Sequence, residues 1–358
     1  MKLVITTNPG IEDLLEEELR EVFGHDILSI DYAKAKGRLV VELKDEVEYL
    51  IEKIYSLTMA HRAGVFLAQS TIDKSVKGLE EVYNIIASTN IYEYITPSTS
   101  FAIRAERIGE GHEYTSLDVA RRAGDAVINL VKEKYGSRPK VNLDYPEVIV
   151  HVDVVDNNLL VYLALTGDMS MHRRGYRVYD HPAALKPTLA SAMIRLSKAR
   201  EGEIIMDSMC GGGTIPIEAA LMFETSFQIC MDINPIHIRG AKMNAIAANV
   251  HTRIKFIVGD AAKVHEYVNI RVNRVISNPP YGIRISNPNA IRRLYKEFIL
   301  NVPKILEDQA TVTLITTEHK VIDKALNEEG LPFKKIHERI VSHGNLWPKI
   351  IVLELEKP

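Results

Sequence analysis

Cysteine is almost missing from this chain: among 358 residues only Cys210 and Cys230 occur, too few and wrongly spaced for a disulfide framework or a structural zinc site. No stretch approaches the roughly 18 consecutive apolar residues of a membrane span. The N-terminus runs from apolar Leu3–Ile5 into the acidic stretch Glu12–Glu21, the wrong order for a signal peptide, whose basic segment precedes its apolar one. A cytoplasmic protein is therefore expected. An excess of positive charge is also lacking, since 44 Lys+Arg stand against 47 Asp+Glu for a net charge of -3. That excludes a basic protein that coats nucleic acid along its whole surface, because such affinity comes mainly from neutralising phosphates. Neither an internal repeat nor a low-complexity tract is present.

What is present is the composition of an ordinary soluble globular protein, 46% hydrophobic and 25% charged, long enough for two or more domains. Residues 1–58 read as a small α+β, ferredoxin-like unit: a strand at Leu3–Thr6, a helix from Ile11 to Phe23 with an acidic first turn, a strand at Gly37–Leu43 and a helix to Ser56. Residues 59–168 form a second α+β region with strands at Phe66–Gln69, Ser100–Arg107, Glu147–Val154 and Leu160–Leu165. Its helices lie at Val76–Ser88 and Ser116–Tyr135, and Asp156-Asn157-Asn158 makes a hairpin turn. No catalytic constellation appears there, which suits a binding module. A linker, residues 169–187, leads to residues 188–358, where strands and helices alternate as in a parallel sheet covered on both faces. Two antiparallel strands, Phe333–Val341 and Lys349–Glu356, close that region. Local basic clusters offer a patch for nucleic acid despite the overall charge: Arg104, Arg107 and His112; His172, Arg173, Arg174 and Arg177; Arg292, Arg293 and Lys296.

Four strand ends in the last region carry the chemistry. The first runs from Ile204 through Asp207 into Ser208-Met209-Cys210-Gly211-Gly212-Gly213-Thr214, a glycine-rich turn at the carboxyl end of a strand, where open parallel sheets bind ligands. Glycine lets backbone approach a ligand that a Cβ would push away. The absence of a Gly-Lys-Ser/Thr ending excludes a P-loop. The second strand ends in Asp232-Ile233-Asn234. Asn234 suits the cap of the helix beginning at Pro235, which frees Asp232 to accept from both hydroxyls of a ribose. At the third, Asp260 either caps a helix or accepts from an adenine amino group. The fourth, Ser277-Asn278-Pro279-Pro280-Tyr281-Gly282, is the most specific. Two prolines stiffen the corner and leave carbonyls to present. The Asn278 side-chain oxygen and the Pro279 carbonyl are two acceptors fit to grip an NH2 group by its two hydrogens, and Tyr281 can stack on a base.

These motifs resemble those of the Rossmann-like, class I amino-methyltransferases, whose Asn/Asp/Ser-Pro-Pro-Tyr/Phe motif holds the target amine. Phe101-Ala102-Ile103-Arg104, Asp144-Tyr145-Pro146-Glu147, His172 to Arg177, and His181-Pro182-Ala183-Ala184-Leu185-Lys186-Pro187-Thr188-Leu189-Ala190 resemble the THUMP RNA-binding module and its junction to such a domain. The likeness spans nearly the whole chain and is closest to the tRNA guanosine-6 N2-methyltransferases. Enzymes acting at guanosine 10 usually carry Asp where Asn278 stands. Ser208 departs from the pattern, which usually has Pro there. The resemblance implies a mainly parallel seven-stranded sheet, S-adenosylmethionine as methyl donor, no metal, and tRNA as partner of a monomer. It implies donor contacts from Thr188, Asp207, Cys210, Gly211, Gly213, Thr214, Asp232, Ile233, Asp260, Ala261 and Asn278. RNA contacts would come from Arg104, Arg107, His172, Arg173, Arg174 and Arg177. Asn278, Pro279 and Tyr281 would act on the substrate.

The expected chemistry is direct methyl transfer to the exocyclic amine of guanosine 6, with rate gained by positioning. Other readings are N2-methylation of guanosine 10 or of an rRNA guanosine, methylation of adenine N6 or of a protein glutamine, and a non-catalytic RNA-binding relic. The intact strand ends speak against the last, and the THUMP-like region against DNA or protein substrates.

Overall fold

The computed structural model describes residues 1–45, 47–282, 288–328 and 330–356, which form two compact units, Met1–Met171 and His172–Pro358. In the first, apolar alternation and turn signals yield β1 (Lys2–Thr6), α1 (Glu12–Phe23), β2 (Ile27–Tyr32), β3 (Arg38–Leu43), α2 (Leu50–Ser56) and β4 (Arg62–Thr71). After them come α3 (Lys77–Ala87), β5 (Ser100–Ile108), α4 (Ser116–Tyr135), β6 (Lys140–Val141), β7 (Val148–Val155) and β8 (Asn158–Ala164). The helix α4 starts where the sequence places it because Thr115 and Asp118 form a reciprocal capping box, and it stops at Gly136, whose φ of 76° is left-handed.

One sheet in the order β2-β3-β1-β4-β8-β7-β5-β6 runs through this unit. The sequence reading divides the chain at residue 58, yet β1 pairs with β4 across that point, Leu3 opposite Val65 and Thr6 opposite Arg62. The sheet also curls. Arg38 of β3 reaches Asp153 of β7, four places away in the strand order, with Nε 2.9 Å from Oδ2, and both side chains are buried.

The second unit contains α5 (Pro187–Leu196), β9 (Ile204–Asp207), α6 (Thr214–Met222), β10 (Phe227–Asp232), α7 (Pro235–Ala247), β11 (Ile254–Val258), α8 (Val264–Tyr267) and β12 (Val272–Ser277). It continues with α9 (Pro288–Asn301), β13 (Leu306–Thr316), α10 (His319–Glu328), β14 (Phe333–Ile340) and β15 (Lys349–Leu355). Its seven strands follow the order β11-β10-β9-β12-β13-β15-β14, and all run in one direction except β15, which is antiparallel to both β13 and β14. Strand alternation feeds both faces: Ile229 and Met231 join the core on one side, Cys230 that on the other.

The chain begins this sheet at β9, travels outward through β10 and β11, then returns to β12 on the other side of β9. A crevice opens at such a switch point, at the carboxyl ends of the strands. Parallel pairing of β9 with β12 covers Ile205 opposite Arg274 and Met206 opposite Val275. The glycine turn and the diproline corner lie just beyond that ladder, one at each lip.

Candidate active site

The β9 lip is held from beneath. Asp207, 2% exposed, accepts from Met209 N–H at 3.1 Å and from the Ser277 hydroxyl at 2.8 Å through the same oxygen, Oδ1. Burial pushes its pKa up to about 7 against those two bonds, and the Asp232 charge adds to the rise. Beyond it, Gly211 and Gly213 take φ of 50° and 81°, which non-glycine residues rarely adopt. Both positions also pack closely against neighbouring side chains. A Cβ on Gly211 would lie 3.4 Å from the His181 ring, and one on Gly213 3.0 Å from Ala241 Cβ. Cys210 forms a disulfide with Cys230 of β10, with 5.5 Å between Cα atoms. The sequence count excluded a framework of bridges, but the strand register brings this one pair together. Thr214 opens α6 and accepts from Arg177 at 3.1 Å.

Asp232 ends β10 with both oxygens engaged. Gly211 N–H donates to Oδ2 at 2.9 Å and Asn234 N–H to Oδ1 at 2.8 Å, with His237 Nδ1 3.3 Å from Oδ1. Asn234 caps α7 by accepting from Ile236 N–H at 2.9 Å, the role the sequence assigns to it. Ile233 beside them is 68% exposed, an apolar face open to a ligand. Asp260 caps the turn that follows it, accepting from Ala262 N–H through Oδ1 at 2.9 Å, with Ala261 buried next to it. Thr188 is fully buried near the start of α5.

On the β12 lip, Asn278 turns its Nδ2 toward the Ala183 carbonyl at 3.5 Å. Its Oδ1 is buried and has no partner among the described residues. A carbonyl facing the amide fixes which end is which, since two acceptors would repel. The following corner is pinned farther along. Tyr295 donates to the Pro280 carbonyl at 3.3 Å and pairs with Thr316 Oγ1 at 2.7 Å. Pro279 is buried, and Tyr281 is half-buried with a hydroxyl that is covered and without a partner among the described residues. Burial raises the Tyr281 phenol well above its ordinary value, so it stays neutral. An orphaned acceptor and an exposed Ile233 at one crevice fit a donor–acceptor site of the expected kind.

The basic residues divide. Arg174 reaches the buried Glu218 through Nε at 3.2 Å, and Tyr176 donates to the same carboxylate at 2.6 Å. Arg177 donates to the Leu185 carbonyl as well as to Thr214. Arg174 thus supplies the counter-charge that the buried Glu218 carboxylate needs, and Arg177 ties the Leu185 carbonyl to the start of α6. Arg173 is exposed and His172 partly so. In the other unit Arg104 forks onto Asp168, 2.9 and 2.7 Å from its two oxygens, and donates to the Leu143 carbonyl. Arg107 donates to the Gly109 carbonyl at 2.8 Å.

Comparison with known proteins decides the family. Residues 174–349 match the RMKL-like methyltransferase domain and residues 76–164 the THUMP domain. The chain is 35% identical to the tRNA (guanine(6)-N2)-methyltransferase of Archaeoglobus fulgidus, over 98% of this chain and 92% of that protein. It is 34% identical to the protein of the same name from Methanocaldococcus jannaschii, over 99% and 100%. The chain belongs to the tRNA (guanine(6)-N2)-methyltransferase family. Among solved structures, TrmN from Thermus thermophilus superposes with a TM-score of 0.78 at 29% identity, covering 99% of each chain.

Several residues of this family member were not singled out from its sequence. Asn244 of α7 clamps two segments: its Oδ1 accepts from Tyr179 N–H at 2.7 Å, and its Nδ2 donates to the Tyr179 and Gly212 carbonyls at 3.0 and 2.9 Å. An asparagine inside a helix, where it is a poor former, was the available signal. Tyr179 lies on Gly240, where a Cβ would sit 2.2 Å from its ring. His181 meets His237 edge-on at 4.3 Å, and burial lowers its pKa. Ser277 and Tyr295 had no such signal.

Proposed function

We propose that this chain transfers a methyl group from S-adenosylmethionine to the exocyclic N2 of guanosine 6 in tRNA. The observation that carries the reading is the Asn278 Oδ1, an acceptor buried without a partner among the described residues at the lip of the sheet's crevice. The names of the relatives supply the nucleotide. The residues fit the donor: the turn from Asp207 to Thr214, Asp232 with Ile233, and Asp260 with Ala261 would hold it. When bound, S-adenosylmethionine supplies an electrophilic methyl group on a positively charged sulfur.

The guanine amine is a weak nucleophile because its lone pair is delocalised into the ring. Asn278 Oδ1 and the Pro279 carbonyl accept its two hydrogens, which draws the lone pair toward nitrogen and favours the positive charge that grows there during attack. The N–C bond forms as the S–C bond breaks, and N2 then gives one proton to water, so no strong base is required. Two prolines and the Tyr295 bond keep this corner from yielding, and rate comes from held geometry. A base within a stem must leave its stack first, and the half-buried Tyr281 ring offsets part of that cost of a few kcal/mol.

The test uses the full chain, methyl-labelled donor and a tRNA transcript bearing guanosine 6. Nucleoside mass spectrometry should find N2-methylguanosine, and exchanging guanosine 6 and its partner for an A–U pair should abolish incorporation. Equal incorporation into the exchanged transcript would refute the position.

A further inference from the structure

Where β9 and β12 part, backbone pairing stops at Met206 opposite Val275. Two positions farther on, the same register sets Ser208 opposite Ser277, and side chains take over from the ladder. Ser208 N–H donates to Ser277 Oγ at 3.0 Å, the two hydroxyl oxygens are 3.0 Å apart, and Ser277 donates to Asp207 Oδ1 at 2.8 Å. A serine has one hydrogen to give. Ser277 spends its own on Asp207, so the Ser208 hydroxyl donates to Ser277. Both serines are 0% exposed, and such buried hydroxyls are retained only when satisfied.

We propose that Ser208 and Ser277 are positioning residues for methyl transfer, a latch that fixes the amine-holding corner against the donor-holding turn. Ser277 immediately precedes Asn278, and Pro279–Pro280 leave the corner no slack. Tyr295 holds the far end at the Pro280 carbonyl, so the latch sets the near end. Ser208 lies within the turn that leads to Cys210 and Gly211. Both lips of the crevice therefore share one set of hydrogen bonds, and a shift at Ser277 displaces Asn278 Oδ1 relative to the turn. A misplacement of about 1 Å at a reacting centre costs on the order of 100-fold in rate. The latch rests on the methyl-transfer reading above.

The test is single-turnover methyl transfer at saturating donor for the wild type, S208A, S277A and the double variant, with donor affinity measured by calorimetry. S277A should slow transfer on the order of 10- to 100-fold while donor affinity stays within about threefold. S208A, which keeps its N–H bond to Ser277, should cost less. The double variant should be no slower than S277A, because the Ser208 hydroxyl acts only through Ser277. A wild-type rate in S277A, or losses that multiply in the double variant, would overturn the latch. Should the wild type label no tRNA, the methyl-transfer reading fails by itself. The latch is then judged by exchange of the Ser208 amide hydrogen, faster in S277A if the bond exists and unchanged if it does not.

Discussion

Asp207 holds its proton to a pH at which a free aspartate has long lost it, because burial penalises the charge more than the Met209 and Ser277 bonds repay. The consequence for stability has a definite sign. A carboxyl whose folded pKa is raised binds its proton more tightly when folded, so its contribution is complete below about pH 4, the unfolded value. It is lost as pH rises toward the folded value of about 7. Asp207→Asn keeps the neutral shape and cannot ionise. Urea midpoints measured from pH 4 to 7 should therefore fall more steeply with pH for the wild type than for this variant; parallel slopes would show that Asp207 is ionised throughout. At this scale the sequence revealed the acid at the strand end but not its state, since burial is set by β10 and β12 on either side. Ser277 was hidden for the same reason: its partners are 69 and 70 residues away.

The turn between β9 and α6 is tied on both sides, by the serine pair to β12 and by Cys210–Cys230 to β10. Closing a loop of 20 residues stabilises a fold by about 2–4 kcal/mol. Reduction, or Cys230→Ser, should lower the urea stability of residues 172–358 by that amount and leave the first unit unchanged, because it contains no cysteine. Superimposable curves with and without reductant would argue against the bridge. Elements of the second unit were legible because short apolar strands alternate with longer helical segments and each motif sits at a strand end. The edge strand β2 was not, since Ile27–Tyr32 is largely open to solvent and carries Ser29 and Asp31. Its apolar signal is correspondingly weak.

Across the whole molecule, the sheet that runs across residue 58 was not legible because strand pairing between distant segments leaves no local trace, whereas the alternation of the second unit does. The same curl gives a prediction for the first unit. Arg38 meets Asp153 and, at 2.8 Å, Glu106. Arg38→Ala strands a carboxylate that is 1% exposed, and breaking such a buried pair costs about 3–5 kcal/mol. Denaturant unfolding followed for residues 1–171 should show that loss, and a change below about 1 kcal/mol would mean that water reaches the pair. The central claim concerns one atom, the Asn278 oxygen that has no partner among the described residues. The most direct measurement is the single-turnover rate of methyl transfer to tRNA by Asn278→Ala at saturating donor. The rate should fall by about 100- to 1000-fold with calorimetric donor affinity nearly unchanged; transfer at the wild-type rate would remove Asn278 from the chemistry.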